Sequence, residues 1–150
     1  MSDLLIRTAD ASDFEVISDV YRRASLSNEG DRGSLLANPE VLVFEVGSIV
    51  EGTRVAVDDG RVVGFATTTP AGEVAELVDL FVDPRRMRRG VARALVLDAV
   101  SLARAGGSSR IEVTANSHAL DFYNAVGFVA DHEVPTQFAP GTRMHLDVAP

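Results

Sequence analysis

The sequence predicts a single mixed α/β domain spanning residues 1–150, built on one sheet that combines antiparallel hairpins with a crossover. Three observations predict it. A length of 150 residues suits one domain, and a hydrophobic share of 46% is enough to build its core. Along the chain, apolar residues switch repeatedly between the spacing of a strand and that of a helix. Between two of the strand-like runs stands Asp59-Gly60, a dipeptide that tolerates the positive φ angles of a tight hairpin turn.

LLIRTA, residues 4–9, alternates apolar and polar side chains and reads as the first strand. Asp10 or Ser12 then caps a helix, because either side-chain oxygen accepts a free N–H of the first turn; Phe14, Ile17, Val20, Tyr21 and Ala24 follow at helical spacing. SLSNEGDRG, residues 25–33, reads as a polar loop. A second, weaker helix falls within SLLANPEVLVFEVG, residues 34–47, and is interrupted near Pro39, which lacks the N–H that the helical ladder needs. RVAVDDGRVVGFATTTP, residues 54–70, gives two strands around Asp59-Gly60, and EVAELVDLFVDP gives a strand that ends before Pro84. VARALVLDAVSLARAGG is a long amphipathic helix closed by Gly106-Gly107. RIEVTA is the next strand, SHALDFYNAVGF a short helix stopped by Gly127, and FVADHEV and RMHLDV are two last strands separated by PTQFAPG. There is no repeat and no low-complexity segment.

Composition narrows the chemistry. The chain carries 14 arginines and no lysine against 22 acidic residues, a net charge of −8. Arg85, Arg86, Arg88, Arg89 and Arg93 nevertheless crowd into one short stretch. An acidic protein with one basic turn suits a small polyanionic ligand and argues against nucleic acid, whose affinity needs an extended basic surface. Without cysteine there is no disulfide, thiol nucleophile or thiolate metal site, and the three histidines lack ligand spacing, so no metal is expected. The N-terminus lacks a basic and apolar leader pattern, and no apolar run is long enough for a membrane span, so a cytoplasmic protein with no membrane partner is expected.

Gly90 stands where the arginine turn meets the long helix. Amides in the first turn of a helix have no intrahelical acceptor and carry the positive end of its dipole, so they hold phosphate oxygens where nothing bulky intervenes. Gly90 and Ala92 keep that approach open, and Arg88 and Arg89 add charge beside it. No Walker A lysine follows the glycine, and no GxGxxG occurs.

The stretch LFVDPRRMRRGVARAL resembles motif A of the GNAT superfamily of N-acetyltransferases, [RQ]-x-x-G-x-[GA], which cradles the diphosphate of acetyl-CoA. Met87, Arg88, Arg89, Gly90, Val91 and Ala92 occupy its six positions, with Met87 where Arg or Gln is usual, and Arg93 follows directly. NSHALDFYNAVGF is similar to the family's motif B, with Asn116, Ala119, Phe122, Tyr123, Gly127 and Phe128 on the pattern. The resemblance implies a central mixed, mostly antiparallel sheet of six to seven strands with about four helices. It implies acetyl-CoA as cosubstrate and backbone bonds from Leu80, Phe81 and Val82 to its pantetheine arm and thioester carbonyl. Such bonds require a strand that splays from its neighbour. By the same resemblance Asn116 touches the pantetheine, although its side chain is equally suited to capping the helix that follows.

Acetyl transfer to an amine needs a base for the amine proton and an acid for the departing thiolate. Alternation along EVAELVDLFV puts Glu76 on one face with Val74, Val78, Leu80 and Val82, so it is a lone carboxylate among apolar neighbours and the candidate base. The other reading of Glu76 is an edge-of-site carboxylate that only pairs with an arginine or faces water. Asp79, on the face of Ala75, Leu77 and Phe81, is the rival base. Tyr123 is the candidate acid by resemblance, while its place in an apolar stripe with Ala119, Phe122 and Val126 also fits a core residue. The expected activity is direct transfer from acetyl-CoA to an amine acceptor in a ternary complex. The alternative is a non-catalytic acyl-CoA-binding sensor or interaction module. Overall acidity, with Asn28, Glu29 and Asp31 in the polar loop, suggests a cationic acceptor, and the last two strands offer an edge for a homodimer.

Overall fold

The computed structural model describes residues 4–27, 29–87, 89–137 and 139–149. Its strands are β1 (Leu4–Thr8), β2 (Thr53–Asp58), β3 (Arg61–Ala71), β4 (Val74–Val82), β5 (Arg110–Ala115), β6 (Val129–Val134) and β7 (Gly141–Asp147). Its helices are α1 (Phe14–Leu26), α2 (Glu29–Ala37), α3 (Val91–Ala105) and α4 (Leu120–Ala125). The seven strands form one sheet in the order β1-β2-β3-β4-β5-β7-β6. Antiparallel pairing joins β1 to β2, β2 to β3, β5 to β7 and β6 to β7, whereas β4 and β5 are parallel, with α3 as their crossover. This is the mixed, mostly antiparallel sheet expected from the sequence.

The residues divide into two compact units, Met1–Thr67 with Asp79–Leu95, and Thr68–Val78 with Val96–Pro150. In the first, a single 3-10 turn (Ala11–Asp13) that runs directly into α1 begins with reciprocal caps. Asp10 accepts the Ser12 N–H at 2.8 Å and its own N–H donates to Asp13 at 2.9 Å, so two amides without helical partners are satisfied. Arg7 from β1 closes on Asp13 with both guanidinium nitrogens at 2.9 Å. From α1, Ile17 and Val20 are fully buried against Val55, Phe65 and Phe44. The β2–β3 turn has φ of 53° at Asp59 and 76° at Gly60, the positive pair a two-residue hairpin requires.

One segment departs from the sequence reading. Residues 29–33, read as loop, are the first half of α2. Gly30 and Gly33 each cost a helix about 1 kcal/mol relative to alanine, which is why the local signal favours a loop. Arg32 opposes it by donating to the Leu26 carbonyl at the end of α1 at 3.1 Å, and at the other end of α2 Asn38 donates to the Ser34 carbonyl at 2.9 Å. A single turn of 3-10 helix at Pro39–Leu42 follows, and Tyr21 of α1 donates its phenol proton to the Val41 carbonyl at 2.6 Å.

The second unit is packed from Ala75 and Leu77 of β4, Val96, Ala99 and Ala103 of α3, Ile111 and Val113 of β5, and Met144 of β7, all buried. Gly107, at φ 88°, ends α3, and Arg104 ties that end down by donating to the Val148 carbonyl at 2.6 Å. No helix among the described residues is long and apolar enough to cross a membrane.

Candidate active site

The parallel ladder between β4 and β5 runs from Val74↔Arg110 to Leu77↔Val113 and stops. β4 continues to Val82, so Val78, Asp79, Leu80, Phe81 and Val82 run on past the last β5 partner. Each residue of an extended strand still presents an N–H and a C=O, and an unpaired stretch is a template for an extended ligand. Leu80, Phe81 and Val82, the residues assigned to backbone contacts, all lie on this stretch and are half-buried.

Beyond β4, the chain is locked before it reaches the glycine. The Asp83 N–H donates to the Val63 carbonyl at 2.8 Å, and its buried carboxylate receives the backbone N–H and the guanidinium of Arg85 and a bond from Arg23 of α1 at 3.0 Å. The Arg85 hydrogen bond, followed by the Arg85 backbone and Arg23, holds this carboxyl well below the usual range. Arg86 faces Asp58 at 3.7 Å. Two of the five clustered arginines therefore compensate aspartates, and the local positive charge is smaller than the sequence suggests.

Gly90 has φ 81°, and a Cβ placed on it meets nothing within 4 Å, so the space over the turn is open. Its carbonyl accepts the Ala94 N–H at 3.0 Å, making it the residue that starts α3. The amides of Val91, Ala92 and Arg93 are consequently the first-turn donors that a helix leaves without partners. Met87, Arg89 and Arg93 are exposed around them, while the Val91 side chain is buried. Arg88 lies outside the described residues, as does Asn28. Gly64, which the sequence reading passed over, fixes where this helix begins. A Cβ there would sit 3.0 Å from the Phe81 carbonyl oxygen, 3.1 Å from Val91 and 3.3 Å from Leu95, so only glycine lets α3 lie this close to β3. A glycine interrupting the strand RVVGFA was the available signal.

The two candidate bases sit in opposite settings. Arg143 of β7 donates to Glu76 Oε2 at 2.7 Å and to Oε1 at 2.9 Å, and also to Glu112 at 2.7 Å and Thr114 at 2.9 Å. Both Glu76 oxygens are thus engaged. The apolar surroundings inferred for Glu76 are corrected here: its neighbours along β4 are apolar, but across the sheet it meets Glu112 and Arg143, which alternation within one strand cannot reveal. Asp79 is half-buried, and burial pushes its carboxyl above the ordinary range, partly offset by a hydrogen bond from Thr67. Tyr21 stands near it, edge-on to Phe81 at 4.9 Å between ring centres, its phenol pushed up by burial and by the Asp79 charge.

In the second unit Tyr123 is buried, with its ring edge-on to Phe122 at 5.2 Å and to Phe128 at 5.3 Å. Burial pushes its phenol well above the ordinary value. The phenol oxygen makes no hydrogen bond to any described residue. Asn116 is exposed and accepts the His118 N–H at 3.0 Å, closing the turn ahead of α4 without capping the helix itself.

Residues 20–128 match the family described as Acetyltransferase (GNAT) family, and the chain belongs to it. An uncharacterized N-acetyltransferase of Methanocaldococcus jannaschii is 32% identical over 88 residues, covering 52% of this chain and 39% of that protein. Glucosamine 6-phosphate N-acetyltransferase of Trypanosoma brucei brucei is 31% identical over 81 residues, covering 49% of this chain and 54% of that protein. The matched regions span about half or less of both relatives. PaiA N-acetyltransferase from Thermoplasma acidophilum, solved in complex with coenzyme A, shares the fold with a TM-score of 0.75 at 19% identity, over 97% of this chain and 99% of that one.

Proposed function

We propose that the protein is an acetyl-CoA-dependent N-acetyltransferase that passes the acetyl group directly to an amine in a ternary complex. The observation that carries this reading is the continuation of β4 past its ladder with β5, leading through a locked turn into the open Gly90 space at the head of α3. The residues fit a diphosphate with an extended arm. The amides of Val91, Ala92 and Arg93 would hold the phosphate oxygens, with Arg89 and Arg93 adding charge, and the backbone of Leu80, Phe81 and Val82 would hold the arm. Bound acetyl-CoA supplies an activated acetyl thioester.

The protein's own groups then manage protons. Asp79 is the better base, because its raised proton affinity brings it toward the amine it must deprotonate and no described arginine locks its carboxylate. Glu76, held by Arg143, fixes the β4–β7 side of the second unit. Tyr123 keeps its proton across the working range and presents it as a donor for a departing sulfur. The given sequence has no cysteine to carry a thiol-linked acyl group, which supports direct transfer.

Thiol release from acetyl-CoA over a broad panel of amines, with mass detection of the acetylated product, tests the proposal. Turnover with at least one amine class is expected. Tight CoA binding with background turnover on every amine would leave an acyl-CoA-binding module in place of an enzyme.

A further inference from the structure

A cavity of about 670 Å³ lies wholly in the first unit, lined by β1, α1, the β2–β3 turn and the segment after β4. Six arginines line it, Arg7, Arg23, Arg61, Arg85, Arg86 and Arg89, against the two aspartates Asp13 and Asp83. Even when Asp58 is counted for its pairing with Arg86, three positive charges stay uncompensated, in a chain whose net charge is −8. The pairing within it is uneven. Arg7 is spent on Asp13, and Arg23 and Arg85 share Asp83. Arg61 and Arg89 make no hydrogen bond or ion pair with described residues. Arg23 keeps its Nε buried with no acceptor, although its terminal nitrogen is bonded.

Water screens the exposed Arg61, Arg85 and Arg89, and the clustered guanidinium groups together with the unsatisfied Nε of Arg23 offer an anion more partners than the protein itself supplies. We propose that this cavity is a phosphate-binding site that works through the side chains of Arg7, Arg23, Arg61, Arg85 and Arg86, with Arg89 on the border it shares with the backbone amides at Gly90. Three features select phosphate over a carboxylate. The excess charge exceeds one. Planar guanidinium forks match phosphate oxygens two at a time. The volume also falls in the range of roughly 300–1,000 Å³ that small-molecule sites occupy. The phosphate has two possible sources, the 3′-phosphate of CoA itself or a separate phosphorylated molecule.

Calorimetry with pyrophosphate separates them. Protein is first saturated with 3′-dephospho-CoA, which fills the Gly90 turn and leaves the arginine cavity empty; only this blocking step rests on the CoA reading. Pyrophosphate is expected to bind this complex, and Arg61→Gln, which strands no partner, is expected to weaken it about tenfold while leaving 3′-dephospho-CoA affinity unchanged. If full CoA excludes pyrophosphate and binds about tenfold more tightly than its dephospho form, the cavity takes the 3′-phosphate. If the CoA-saturated protein still binds pyrophosphate, the ligand is a separate molecule. Absence of pyrophosphate binding together with equal affinity for the two CoA forms overturns the proposal, as does full pyrophosphate affinity in Arg61→Gln. Should the chain bind no form of CoA, the same titration of the free protein and of Arg61→Gln still decides the cavity, and only the transferase reading falls.

Discussion

Arg143 grips both oxygens of Glu76, at 2.7 and 2.9 Å, from a strand 67 residues away in sequence. That fork turns the carboxylate singled out by the strand pattern into part of an ion cluster with Glu112 and leaves Asp79 as the group with an elevated proton affinity. Glu76→Gln is therefore expected to change kcat only a few-fold while lowering stability, because it leaves Arg143 with one carboxylate fewer. Asp79→Asn is expected to lower kcat by about 10²-fold or more at unchanged CoA affinity. Steady-state kinetics beside calorimetry on both variants decide between the two, and the reverse pattern would return the base to Glu76.

The Asp79 assignment also sets a pH profile. Burial raises its carboxyl above the ordinary aspartate range, so it loses its proton at a higher pH than a free aspartate does. Activity should rise with pH through that raised value, with the acid limb of kcat above the ~3.9 of a free aspartate. Asp79→Glu should keep a limb and Asp79→Asn should lose it. A kcat profile that is flat in the wild-type protein from pH 4 upward would contradict this assignment.

Asp13 and Asp83 shift the other way, each held down chiefly by an arginine hydrogen bond, from Arg7 and Arg85 respectively. A carboxylate with a lowered folded value contributes stability that is fully present above its unfolded value of ~3.9 and is lost as pH falls toward the folded one. Urea unfolding should consequently show stability falling below pH 4. Asp83→Asn should be less stable at pH 7 by about 2–3 kcal/mol, the worth of charge-assisted hydrogen bonds, and should show a shallower acid decline. An unchanged acid slope in this variant would place the dependence elsewhere.

Tyr123→Phe removes only a phenol oxygen that has no protein partner among the described residues, while the ring keeps its contacts with Phe122 and Phe128. Stability is expected to hold and kcat to drop by about tenfold to 10²-fold, with CoA affinity intact. Equal kcat for the two proteins would make Tyr123 a core residue alone.

What could be read from the sequence were the features encoded locally. Asp59-Gly60, the apolar spacing of α1 and α3 and the glycines after α3 and α4 each specify a conformation within a few residues, and each element formed where expected. The start of α2 was missed because Arg32 ties it to the Leu26 carbonyl at the end of α1, a contact that a propensity argument does not see. The same limit governs the site. Gly90 was legible because a helix start is local, whereas the fate of Glu76 depends on β7, the pairing of Arg85 with Asp83 draws in α1, and the cost of a side chain at Gly64 depends on α3.

That last dependence gives the most direct test of how the amides at Gly90 are positioned. At Gly64 an added methyl would meet a backbone oxygen of β4, Phe81 O at 3.0 Å, which cannot move without disturbing the strand. The remaining freedom lies with Val91 and Leu95, at 3.1 and 3.3 Å, so α3 must yield, and Val91 is its first residue. Gly64→Ala is thus expected to cost about 1–3 kcal/mol through overpacking and to weaken CoA by displacing the first-turn amides. Gly90→Ala provides the contrast. Its Cβ has open space, but φ 81° lies in the left-handed region, where a side chain costs about 1–2 kcal/mol. Both variants should lose stability by thermal melting, and both should bind CoA less tightly by calorimetry. Undiminished CoA affinity in a folded Gly64→Ala protein would mean that the close approach of β3 and α3 does not set the position of those amides.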